Sequence, residues 1–132
     1  MSLTALAVAA ALLSSAQDGH WKGHLSGGEK AAKVTFKVAR DGSRLKDFRT
    51  TVAAFCVGPT IGTNYEAILV VSVPQAKIKP NGRFKRTYET DGGGRYKISG
   101  TLRGRKVRDG SVDVDVATCG GHDTWTARRA SR

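Results

Sequence analysis

Sustained helical patterning is absent: beyond residue 16 no stretch keeps its apolar residues on a 3.6-residue period, which excludes a helical bundle. A phosphate loop of the strand–loop–helix kind is excluded with it, because "GGGR" at Gly92 to Arg95 runs into a strand pattern. Cysteine is limited to Cys56 and Cys119, so at most one intramolecular disulfide can form. Acidic residues are few, 11 Asp and Glu against 22 Lys and Arg, for a net charge of +11 over 132 residues. No Asn-x-Ser/Thr site occurs, and no pair of carboxylates sits in pocket-like sequence. Asp113 and Asp115 read instead as a solvent-facing rank opposed by Lys or Arg on the next strand.

Charge is also missing from the first 16 residues, "MSLTALAVAAALLSSA", where an apolar stretch from Leu3 to Leu13 precedes the small residues Ser14, Ser15 and Ala16. That is the form of a secretory signal peptide, residues 1–16, with cleavage expected after Ala16. The departure from pattern is the lack of Lys or Arg near Met1; a start upstream of Met1 or a weak signal accounts for it. The other reading is a buried N-terminal helix. The stretch is about half the ~20 residues a membrane-spanning helix needs, and no comparable run follows, so a membrane span is not expected. The remainder, residues 17–132, has the length of a single domain.

In that domain, apolar and polar residues alternate with period two. "KVTFKVA" sets Val34, Phe36 and Val38 against Lys33, Thr35 and Lys37; "RYKISGTL" and "SVDVDVATC" repeat the pattern. "FRTTVAAFCV" and "AILVVSV" are apolar on both faces, which suits the middle of a sheet or the underside of a loop. Short turn sequences intervene: "RDGS", "GPTIGTN", "KPNGR", "TDGGG", "RGRK" and "CGGHD". Strands are expected near 20–26, 32–40, 44–57, 65–73, 76–80, 83–90, 95–103 and 106–118, with a ninth at 123–129, and the closing "RRASR" is expected to fray. The fold class is all-β: an antiparallel up-and-down meander of eight or nine strands closed as a barrel, with a β-sandwich as the alternative. The link at Gly58 to Asn64 is the one place for a Greek-key crossing.

The stretch "CGGHDTW" brings Cys119 within reach of His122 and Asp123, the residue types of a nucleophile, base and orienter. A partner cysteine, an oxidising compartment and a turn without a helix N-terminus to lower a thiol pKa argue against catalysis. The expected state is a Cys56–Cys119 disulfide, which closes nearly half the chain and contributes about 4 kcal/mol in the chain-entropy model. Two free thiols are the alternative and need a reducing compartment. His20 and His24 are four apart, roughly 13 Å along a strand, too far to share one metal ion. No metal or cofactor is expected.

Trp21 opens the first expected strand and Trp125 lies in the last, so both indoles either seal the core or line a cavity mouth. Basic residues cluster twice, as Lys77, Lys79, Arg83, Lys85 and Arg86, and as Arg103, Arg105, Lys106 and Arg108. Two such hairpins side by side have the charge to hold phosphate or sulfate groups, and a solvated basic face is the plainer reading.

The order "GHWKGHLSGG", "KVTFKVARDGSRLKDFRTTVAAFCV", "IKPNGRFKR", "YKISGTLRGRKVRDGSVDV" and "TCGGHDTWTARR" resembles small secreted β-domains of unknown function from high-GC Gram-positive bacteria. That resemblance implies secretion and the Cys56–Cys119 pairing and assigns no catalytic residue. A looser similarity to lipocalin and avidin barrels rests on the Gly-x-Trp that opens the first strand. The expectation is a secreted or cell-envelope-associated, monomeric, non-enzymatic module that binds anionic polysaccharide or cell-wall polymers, without a specific nucleic-acid partner. The alternative is a carrier of a small apolar ligand inside the barrel.

Overall fold

Alternation at period two becomes eight strands: β1 Gly19–Leu25, β2 Lys33–Val38, β3 Arg44–Cys56, β4 Tyr65–Lys77, β5 Arg83–Glu89, β6 Arg95–Arg103, β7 Lys106–Val116 and β8 Cys119–Ser131. The computed structural model describes residues 17–27 and 32–132, so the expected signal peptide, residues 1–16, lies outside the described residues. All eight strands are antiparallel and form one sheet, in the order β4-β3-β2-β1-β8-β7-β6-β5, not the two sheets of a sandwich. Consecutive strands pair with each other except β4 and β5, which stand at the two ends of the order, and the Gly58–Asn64 link is a hairpin connection between paired strands.

Three boundaries differ from expectation. The strands expected at 65–73 and 76–80 are one, because Pro74 sits in an edge strand, where its missing N–H breaks no ladder, opposite a bulge. The bulge is at Asp47, which adopts φ 53° while β2 and β3 shift register around it. Cys119 belongs to a strand and not to a turn: the turn is Ala117–Thr118, with Ala117 at φ 53°, and β8 runs unbroken from Cys119. The "RRASR" terminus is paired rather than frayed, with Ser131 opposite His20.

Strand length decides how the sheet rolls. β1 and β2 have seven and six residues, whereas β3 and β8 have 13 each. Beyond the ends of the short strands β8 meets β3 directly, pairing Phe55 with Gly120 and Cys56 with Cys119. The hydrogen-bonded series β1, β2, β3 and β8 thus returns on itself. The disulfide joins Cys56 and Cys119 at this junction, spanning 63 residues of sequence. Close approach there needs small residues: a Cβ on Gly121 would lie 2.9 Å from the carbonyl oxygen of Ala53.

The inner faces meet in an aromatic core. Phe36 stacks on Trp21 at 5.6 Å between ring centres and meets Trp125 edge-on at 5.8 Å, while Trp125 also contacts Phe48 at 5.2 Å and Phe84 at 6.0 Å. Both indole N–H groups are satisfied: Trp125 donates to the carbonyl of Ser111, and Trp21 to that of Gln17. Gly110 gives Trp125 its place, since a Cβ there would stand 2.7 Å from the indole ring. Leu45, Val52, Val71, Ile98, Leu102 and Val112 complete the packing. "FRTTVAAFCV" and "AILVVSV" lie in β3 and β4, and each covers the core with one face only; β3 is inside the sheet as expected, whereas β4 is at its edge.

Thr50 is buried in this apolar setting, and among the described residues its hydroxyl meets no hydrogen-bond partner. A buried hydroxyl without a partner costs about 1–3 kcal/mol in lost hydration. Thr50→Val keeps the branched shape and removes the oxygen, so the urea midpoint should rise with an unchanged slope; a lower midpoint would show that the hydroxyl is satisfied.

Candidate functional site

Outward-facing residues of β5, β6 and β7 fall into rows fixed by register. Lys85 lies opposite Ser99, and Ser99 opposite Ser111; Thr87 lies opposite Lys97, and Lys97 opposite Asp113; Arg83 lies opposite Thr101, and Thr101 opposite Arg108. The β4–β5 turn folds against the end of β6, where Leu102 donates its backbone N–H to the carbonyl of Gly82. Together these elements form an open groove of about 770 Å³.

Passing across the groove, side-chain chemistry changes strand by strand. Lys77, Lys79, Arg83 and Lys85 come from the β4–β5 side, Lys97, Ser99 and Thr101 from β6, and Asp109, Ser111 and Asp113 from β7. The Ser99 and Ser111 hydroxyls are hydrogen-bonded to each other at 2.7 Å. Asp109 reaches the groove from the irregular part of β7, where it adopts φ 54° and the register to β8 shifts. Asp113 is engaged by His122, whose Nδ1 lies 2.6 Å from Oδ1, and Lys97 faces it across the β6–β7 ladder. Among the described residues the five groove cations make no salt bridge. Their charge is available to a ligand.

The two basic clusters therefore separate. Four of the first line the groove, while Arg86 falls in a neighbouring depression of about 330 Å³ with Arg44, Gln75 and Lys77. Arg103, Arg105 and Lys106 stand at the β6–β7 turn, with Arg103 opposite Lys106, while Arg108 follows in β7 opposite the groove residue Thr101; none of the four lines the groove itself. Lys97 joins the first cluster from β6, where it is a polar position in the alternating "RYKISGTL". Alternation marked it as outward-facing, but membership of the groove depends on the β5–β6 register, which no local pattern states.

The remaining candidates are placed as follows. Trp21 and Trp125 are fully buried, and Phe36 occupies the space between them. His20 lies opposite Lys37 and His24 opposite Lys33 in the β1–β2 ladder, and among the described residues no three potential metal ligands come together. Asp123 does not orient His122; it accepts hydrogen bonds from the backbone N–H groups of Thr124 and Gly27. Asp41, in the β2–β3 turn, is held below the ordinary carboxylate range by the Ser43 hydroxyl and then by the Ser43 backbone N–H. Among the described residues no helix is long and apolar enough to cross a membrane.

Comparison with protein-family models, with curated proteins and with solved structures finds no match.

With both sulfurs in one cystine, Cys119 has no thiol to act as a nucleophile. Alkylation of the unfolded, unreduced protein should add no label, and prior reduction should admit two; one or two labels without reductant would reopen the thiol chemistry of Cys119 and His122.

Proposed function

We propose that the protein is a secreted, non-catalytic module that holds anionic extracellular or cell-envelope polymers in the groove over β5, β6 and β7. The observation that carries this reading is the convergence of Lys77, Lys79, Arg83, Lys85 and Lys97 on one open groove without carboxylate partners among the described residues. Cations that make no salt bridge and stand beside hydroxyl groups provide both the field and the hydrogen bonds that sulfate or phosphate esters accept. Binding by a half-open groove suits a chain that passes through, and the excess charge of +11 draws it in. The uncharged leader and the cystine support secretion.

The meander order, the pairing of β1 with β8 and the Ile78–Phe84 bridge support a barrel whose seam lies between β4 and β5. An apolar carrier draws no support from the interior, where aromatic rings fill the centre.

A heparin-like sulfated polysaccharide is the first probe, at about 50 and 200 mM salt, because release of counterions from several ionic contacts weakens binding by orders of magnitude over that range. Replacing Lys77, Lys79, Arg83 and Lys85 by Ala should weaken binding at least tenfold and flatten the salt dependence. Replacing Arg103, Arg105 and Lys106 should do much less, although it removes nearly as much charge. Equal losses from the two sets would mean that net charge acts without a site, and the proposal would fall.

A further inference from the structure

The two free edges of the sheet are built differently. β5, at one end, reads "RFKRTYE", with four charged residues in seven. Charged side chains on an edge strand oppose pairing with another chain. β4, at the other end, carries two charges, Glu66 and the terminal Lys77, and over residues 50–76 Glu66 is the only charged side chain. Pro74 and the β5 turn guard the C-terminal part of β4. Among the described residues, nothing guards the part before Pro74: β4 is hydrogen-bonded only to β3, so alternate N–H and C=O groups point away unpaired.

The outer face beside this edge is apolar as well. Ile68 is 69% exposed, Phe55 56% and Val70 51%, and Ile68 lies opposite Ala53 in the β3–β4 ladder. A pattern apolar on both faces belongs to a strand covered on both sides, and the single chain covers one.

We propose that β4 is the interface of a homodimer, in which the edges of two copies pair antiparallel across a two-fold axis. A strand edge is self-complementary under that symmetry, so one surface supplies both halves of the contact. The charge distribution selects a second copy as the occupant: two chains of +11 repel over most of their surface, and this is the segment where they meet without opposing cations. A pairing centred on Leu69 sets Glu66 against Ser72 of the second copy, clear of the other Glu66. The groove cations stay outside the contact, apart from Lys77 at the far end of β4.

Sedimentation equilibrium of the full chain tests this. At about 100 µM a dimer is expected, since a micromolar Kd leaves most chains paired at that concentration. Its dissociation constant should fall as salt screens the like charges, opposite in sign to polyanion binding. Ile68→Lys with Val70→Lys should weaken dimerisation at least tenfold while the far-ultraviolet spectrum and the cystine persist. Should that variant fail to fold, hydrogen exchange on the unaltered chain reads the same interface: the outward amides of β4 should gain protection with concentration. A monomer at ~100 µM overturns the proposal, whether or not it floats with phosphatidylcholine vesicles, and flotation would assign the face to lipid. A dimer indifferent to the two lysines, or one without concentration-dependent β4 protection, overturns it too.

Discussion

The meeting of β8 with β3 is the constraint on which the rest of the structure depends. Without it β8 would pair only with β1 and β7, and Trp125 in β8 would have no fixed relation to Phe48 in β3, its neighbour at 5.2 Å. The junction exists because β1 and β2 are short and because Gly121 lets one backbone lie against another. The cystine holds it covalently in the unfolded chain as well, where it removes the entropy of a 63-residue loop. Covalent closure and aromatic packing therefore act on the same pair of strands.

From that ring β7, β6 and β5 extend as a ribbon. Its inner face is Val112, Val114, Ile98, Leu102 and Phe84, all buried, so the ribbon must lie over the core and present its other face to water. Groove geometry follows from this one-sided burial. Side chains on the outer face carry no packing duty, which frees them to be Lys, Arg, Ser and Thr, and the bulge near Asp109 bends the ribbon locally.

Alternation exposed most of the strands in the sequence because each strand buries one face, and Asp-Gly and Asn-Gly steps marked the tight turns they require. Pro74 misled because proline signals a break only where its N–H is needed in a ladder, and edge position is a property of the whole sheet. Ala117–Thr118 has no turn signature; alanine at positive φ is held there by the pairing of Val116 with Cys119. Groove membership was the least legible feature. Lys97 and the second basic cluster look equivalent along the chain, and only the register of β6 against its neighbours separates them.

The same register explains how one small surface can hold opposite chemistries. Cations crowd the outer face of β5 and β6, while the outer face of β3 and β4 is apolar around Phe55, Ile68 and Val70. β4 and β5 stand at the two ends of the eight-stranded sheet. Electrostatic attraction for a polymer weakens as salt rises, whereas contact between two like-charged chains strengthens. A two-fold pair joined through β4 would carry two grooves, and a polymer long enough to reach both would bind each at the effective concentration set by the other. The near absence of charge over residues 50–76, where Glu66 is the one charged side chain, is what would make the two proposed associations compatible in a chain of this size.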